Sequence, residues 1–244
     1  MGGLGNNLFQ IVNLLRYSIK YNIPYCVPTK IDNPHYEGQK VFYSKYLNFC
    51  DEEYKGIRCF YNEKGFEYNE IPKQICDYCV LNGYFQSYHY FNDYREQILE
   101  ILDIPYEFKE GYVAIHYRLG DYRKISNIHP PVSLEYIHSG IKYFTDRGYK
   151  KFICFSDEID YCYENIKVPD DCTIGFSQGR TDIEDLSLAS SCEHCICSNS
   201  SYSFWLYYLN QNEDKLGVFP KDNWFGVDMS HDTKDIYMPE MILL

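Results

Sequence analysis

From Tyr112 to Phe219 the chain alternates short apolar runs with longer stretches of helical periodicity, and this alternation limits the available folds more than any other feature. Val113 and Ile115 lie in a run, Tyr112 to Tyr117, that reads as a buried strand ending at the polar stretch His116 to Asp121. Leu134, Ile137, Ile141 and Phe144 recur at helical spacing, Gly148 supplies a stop, and Lys151 to Phe155 reads as the next strand. A helix near Asp182 to Cys192, a strand His194 to Ser198, a helix from about Tyr202 to Asn210 and a strand Gly217 to Phe219 continue the series. Strands that alternate with helices predict a parallel α/β sheet, because a parallel neighbour is reached only through a crossover. Such sheets hold ligands beyond the carboxyl ends of their strands, where the most polar loops of this chain fall.

The first half is organised differently. Leu8, Ile11, Val12, Leu15 and Ile19 mark one face of a helix that begins just after a glycine loop, Gly2-Gly3-Leu4-Gly5-Asn6-Asn7. Residues from about 21 to 80 are rich in Tyr, Asn and charge with weak periodicity, and read as short strands and loops. Gly111, after the charged stretch Glu107 to Glu110, marks a domain boundary, giving halves of 1–110 and 111–244. There is no internal repeat and no low-complexity segment.

The chain's 244 residues suffice for one large domain or two small ones. A net charge of -12, from 23 basic and 35 acidic side chains, argues against a nucleic-acid partner, which needs a basic face for counterion release. No stretch approaches the roughly 18 uninterrupted apolar residues of a membrane span. The start lacks the charged and apolar regions of a secretory signal, and the 11 cysteines are an odd number, so reduced thiols in a cytoplasmic protein are expected.

Three segments carry side chains suited to chemistry. In the glycine loop, Gly3, Gly5 and Asn6 would let backbone N–H groups approach an anion at a helix N-terminus, although a simple tight turn accounts for the glycines equally well. The loop lacks the Walker lysine and no strand precedes it, so neither an ATPase loop nor a dinucleotide fingerprint fits. In His116-Tyr117-Arg118-Leu119-Gly120-Asp121-Tyr122, strand alternation puts His116 and Arg118 on one face at the sheet's carboxyl edge, where a guanidinium can grip a phosphate through two N–H groups. The alternative is a surface salt bridge from Arg118 to Asp121 beside a packed His116. The third segment runs from Glu184-Asp185 to Trp205. Asn199, Ser200 and Ser201 lie there between a strand and a helix, where a diphosphate could sit, although capping the helix needs only one of them.

Cysteines at 76, 79, 192, 195 and 197, with His194, invite a zinc reading, but the first pair lies over 100 residues from the rest, far outside finger spacing. Cys195 and Cys197 share a strand face and fit as small core residues. No metal is expected. No glycine-flanked or His-paired signature marks a nucleophilic thiol.

Taken together, the N-terminal GGLGN with the Leu-Phe-Gln that follows, the central HYRLGDY, the FSDE at 155–158 and EDLSLASSCEHCICSNSSYSFW resemble the α-1,2-fucosyltransferase family, glycosyltransferase family 11, in the family's order along nearly the whole chain. That resemblance implies a GT-B-like fold of two Rossmann-type halves, GDP-fucose as donor, a galactosyl or related sugar hydroxyl as acceptor, and inversion at the fucose anomeric carbon. It also implies roles: Arg118 holds the donor diphosphate and His116 braces that arginine or the nucleotide. Asp185 is the guanine-binding carboxylate, and Ser200, Ser201 and the glycine loop with Asn6 surround the phosphates. The strand that normally precedes the glycine loop is absent from this sequence, so the resemblance leads one to expect that the chain starts late or leaves its first sheet incomplete. Asn7 stands where the family has glutamine, and Phe204 and Leu206 where it has tryptophan and glycine. Asp121 is the nearest carboxylate to serve as acceptor base, or else it orients Arg118. With no Asp-x-Asp motif, Arg118 and helix N-termini would supply the positive field without Mg2+. Two other readings keep parts of this assignment: a same-fold transferase using another GDP-sugar, and a non-catalytic nucleotide-sugar or glycan-binding protein, which the aromatic surplus favours.

Overall fold

The computed structural model describes residues 2–28, 49–50, 56–222, 224–226 and 232–244. They form two compact units, one of Met1–Asp103 with Asp232–Tyr237, the other of Ile104–His231 with Met238–Leu244. The units part ahead of Gly111, which lies inside a strand at φ 76°, where the pairing with the neighbouring strand shifts register.

In the first unit, helix α1 spans Leu4–Tyr21. It begins earlier than its apolar stripe indicates and takes Gly5 and Asn6 into its first turn, with Gly3 as N-cap. Leu8, Ile11, Val12 and Leu15 are buried, whereas Ile19 comes out at the exposed edge. Asn22 closes the helix in the left-handed region, its N–H bonded to the Ile19 carbonyl. Two short parallel pairs follow, β1 (Val27–Pro28) with β2 (Phe49–Cys50) and β3 (Arg58–Asn62) with β4 (Tyr78–Asn82). Of the stretch read as short strands and loops, 29–48 and 51–55 lie outside the described residues. Helix α2 (Arg95–Leu102), which periodicity did not reveal, buries only Ile98 and Leu102.

The second unit is built on six parallel strands: β5 (Lys109–Tyr117), β6 (Lys151–Ser156), β7 (Thr173–Phe176), β8 (Cys192–Cys197), β9 (Gly217–Phe219) and β10 (Ile242–Leu243). Their order across the sheet is β10-β9-β8-β5-β6-β7. The chain therefore runs outward from β5 through β6 to β7, then returns to lay β8 against the other side of β5. Central strands covered on both faces carry unbroken apolar runs: Val113, Ala114 and Ile115 of β5 and Cys195, Ile196 and Cys197 of β8 are all buried.

The connecting helices are α3 (Leu134–Thr145), α4 (Ile159–Asn165), α5 (Asp182–Ser191) and α6 (Ser201–Leu209). Ser133 caps α3 by accepting from the Tyr136 N–H, and Ile137, Ile141 and Phe144 face the sheet. Thr181 and Glu184 form a reciprocal capping box at α5. Helix α6, buried from Ser203 to Leu209, is apolar nearly all round, as an enclosed helix is. Both units thus carry parallel sheets, an α/β architecture consistent with a GT-B-like fold. Among the described residues no helix is long and apolar enough to cross a membrane.

Candidate active site

In a sheet of order β10-β9-β8-β5-β6-β7 the topological switch point lies between β5 and β8, where successive crossovers leave on opposite sides and open a crevice. The polar motifs of the second half end there. Ser198 ties the two strand ends together: its hydroxyl donates to the His116 carbonyl at 2.9 Å and accepts from the Arg118 N–H at 3.0 Å.

Strand β5 ends at Tyr117, so alternation does not relate His116 to Arg118, and their side chains find different partners. His116 is buried, its Nδ1 2.6 Å from the Ser203 hydroxyl on α6 and its ring 4.8 Å from that of Tyr202. Burial, helped by the charge of Arg118, drives its pKa down to about 3. His116 is therefore neutral at physiological pH and braces the start of α6.

Arg118 is held by two carboxylates. Nη2 donates to Asp121 Oδ1 at 2.7 Å and Nη1 lies 2.9 Å from Asp157 Oδ2. The guanidinium also sits over the Tyr122 ring, 5.5 Å from its centroid. The salt bridge to Asp121 is thus present, but it is half of the arrangement. Asp157, at the end of β6, also accepts the Leu119 N–H at 3.0 Å. Gly120 makes room for it, since a Cβ there would collide with Asp157 Oδ2.

Beyond β8, the serine-rich turn divides its labour. Asn199 is buried and donates to the Pro130 carbonyl at 2.8 Å, and to that of Trp224 at 3.4 Å, so its amide anchors two loops over the strand ends. The Ser200 hydroxyl caps α6 by accepting from the Tyr202 N–H at 3.3 Å. Ser201 opens the helix and is partly exposed.

Asp185 stands in the first turn of α5. Its Oδ1 accepts from the Ser177 hydroxyl at 2.5 Å, and the same hydroxyl accepts from Arg180 Nη1 at 3.0 Å. Burial raises the pKa of Asp185, while Ser177 and Arg180 work against the rise. Tyr202 joins this group to the strand ends: its hydroxyl donates to the Asp182 carbonyl at 2.7 Å while its ring packs on His116.

The fold therefore gathers His116, Arg118, Asp121, Asp185, Asn199, Ser200 and Ser201 into the second unit. Gly3, Gly5 and Asn6 belong to the first unit, where Asn6 Oδ1 accepts from Gln86 Nε2 at 2.8 Å. Asp157, Ser177, Arg180 and Ser203 are additions that motif reading did not supply with roles. The FSDE stretch carried the signal for Asp157, whereas the short β7 gave none for Ser177. Among the described residues no three His, Cys, Asp or Glu side chains are arranged to hold a metal ion. Cys195 and Cys197 pack in the core with sulfurs 3.5 Å apart.

A family model described as Glycosyl transferase family 11 matches residues 19–243. The O-antigen biosynthesis glycosyltransferase WbnK of Escherichia coli is 24% identical over 252 aligned residues, covering 93% of this chain and 76% of that protein. An α-1,2-colitosyltransferase of Escherichia coli is 30% identical over 162 residues, covering 59% of this chain and 55% of that protein. Galactoside α-(1,2)-fucosyltransferase 2 of Bos taurus is 24% identical over 170 residues, covering 60% of this chain and 48% of that protein. The chain thus spans three quarters of the first relative and about half of the other two.

Proposed function

Because the chain belongs to glycosyl transferase family 11 and is a glycosyltransferase, we propose that it moves L-fucose from GDP-fucose to a sugar hydroxyl, the 2-hydroxyl of a galactosyl-type acceptor, with inversion and without a metal. The observation that carries the reading is Arg118, clamped by Asp121 and Asp157 at the switch point of the sheet.

In the reaction the bond from the fucosyl anomeric carbon to the β-phosphate oxygen breaks as the acceptor oxygen bonds to that carbon from the opposite face. Negative charge grows on the departing GDP. A guanidinium already fixed in place stabilises that charge without reorganising, and preorganised electrostatics of this kind usually lowers a barrier more than any other effect. The N-terminus of α6, opening with Ser201, adds its dipole. The proton of the acceptor hydroxyl passes to a carboxylate; in this reading that is Asp121, whose 58% exposure and bond to Arg118 through Oδ1 alone support the role. Asp185 accepts from the N1–H and exocyclic amino group of guanine, a pattern that uracil and adenine lack.

A second reading, the same site moving another GDP-sugar, is favoured by the name of the α-1,2-colitosyltransferase among the relatives. A transfer assay with GDP-fucose and GDP-colitose against a panel of galactosides and N-acetylglucosaminides, read by mass spectrometry, separates the two. Arg118→Ala is expected to lower transfer by roughly 100- to 1,000-fold at unchanged melting temperature. Activity within about five-fold of wild type would remove Arg118 from the mechanism. Absence of both transfer and donor hydrolysis in the wild type, with GDP still bound, would leave only a binding role.

A further inference from the structure

Arg180 is exposed, yet it is drawn inward to the carboxylate that the proposed function assigns to guanine. Three groups stand in line: the Asp185 carboxylate, the Ser177 hydroxyl bonded to it at 2.5 Å, and the Arg180 guanidinium bonded to that hydroxyl at 3.0 Å. Ser177 is 7% exposed, so the central member is fixed by burial as well as by its two bonds. Among the described residues this is the one hydrogen bond of the Arg180 side chain, so most of its N–H groups remain open to a ligand. Glu184, a carboxylate that also feels the charge of Arg180, is occupied by the capping box, with Oε2 taking both the N–H and the hydroxyl of Thr181 at 2.8 Å.

The polar edge of guanine has a matching order. Its exocyclic amino group and N1–H are donors, and O6 and N7, the next two positions around the base, are acceptors. A carboxylate beside a guanidinium presents acceptors beside donors. Arginine is the side chain whose planar fork fits O6 and N7 together. The same order rejects adenine, which offers an amino group where O6 would be and an acceptor at N1.

We propose that Arg180 is a specificity-determining residue that donates to O6 and N7 of the guanine of the nucleotide donor, completing with Asp185 a two-part reader of that base. This rests on the guanine assignment of Asp185, and the test separates the two.

Calorimetric titrations would compare GDP with UDP, with inosine diphosphate, which lacks the exocyclic amino group, and with 7-deaza-GDP, which lacks N7. Wild type is expected to bind GDP far more tightly than UDP, and each guanine analogue on the order of ten-fold more weakly than GDP. Arg180→Ala should lose on the order of ten-fold for GDP and no longer distinguish GDP from 7-deaza-GDP, while still penalising inosine diphosphate. Asp185→Asn should show the converse. Equal wild-type affinity for GDP and UDP would overturn the guanine assignment itself. Strong GDP preference with no penalty for 7-deaza-GDP would overturn the role of Arg180 alone. So would an Arg180→Ala variant that keeps the wild-type penalty for 7-deaza-GDP, since the arginine would then act through its charge on Asp185.

Discussion

The two carboxylates that hold Arg118 differ in standing. Asp121 is three residues away and 58% exposed, a pair that solvent largely screens. Asp157 is 27% exposed, comes from the neighbouring strand end, and also accepts the Leu119 N–H, so it sets the path of the backbone as well as the guanidinium. Asp157→Asn is expected to lower kcat by about 100-fold, the effect of loosening a catalytic group by about an ångström. Melting temperature should barely move. Gly120→Ala, whose Cβ would collide with Asp157 Oδ2, should act in the same direction. Wild-type kcat in both variants would show that Asp121 alone suffices.

His116 makes a different prediction. Its folded pKa of about 3 lies below the usual value near 6.5, so between these values the unfolded chain binds a proton that the folded one refuses. Stability contributed by the neutral imidazole is therefore present above pH 6.5 and is lost as pH falls towards 3. The loss from this residue approaches about 1.4 kcal/mol per pH unit in the middle of that window. Unfolding curves at pH 7, 6 and 5 should show a shallower loss for His116→Gln than for wild type. Parallel slopes would mean that His116 is protonated in the folded state.

Among the elements, α1 carries an internal conflict. Asn13 is fully buried on this helix, and neither amide atom has a partner among the described residues. A buried amide without partners costs about 1–3 kcal/mol. Asn13→Leu, which replaces it with an apolar group of similar size and better helix propensity, is expected to raise stability by about 1 kcal/mol or more in denaturant titrations. A fall in stability would show that the amide is in fact satisfied.

The legibility of the elements follows from their length and pattern. β5, α3, β6, α5, β8, α6 and β9 stand within a few residues of where apolar periodicity puts them, because each has enough residues to show its period or a run of buried ones. α4 and β7 leave no such mark in the sequence: seven residues with one buried side chain, Cys162, and four residues including Gly175 give no period to detect. In the candidate site, Arg118 and Asp185 stand out in the sequence because contiguous motifs carry them. Asp157 against Arg118 and Ser177 against Asp185 do not, because these contacts are made by strand order and by a turn whose path local pattern does not encode. The polar turn of Asn199 and Ser200 reads as a phosphate cradle, yet the fold engages one amide in anchoring loops and one hydroxyl in capping α6.

For the molecule as a whole, a net charge of -12 opposes a nucleotide diphosphate, so any attraction must be local. Among the described residues of the second unit, the cations at the carboxyl ends of the strands include Arg118, Arg180 and Arg123, the last paired with Glu158, and the nearby N–H groups include those that open α5 and α6. If these groups supply the positive field, GDP binding needs no divalent cation. It should also leave a local signature, because a ligand at 100 times its Kd stabilises the state it binds by about 2.7 kcal/mol, or roughly 100-fold in exchange of amides that open with the site. Hydrogen exchange followed by mass spectrometry, with GDP present, is expected to show slowed peptides at 116–122, 177–185 and 198–202, and the same map in EDTA. Protection that vanishes on chelation and returns with Mg2+ or Mn2+ would mean that a cation neutralises the diphosphate. Protection confined to other segments would move the nucleotide away from the switch point between β5 and β8.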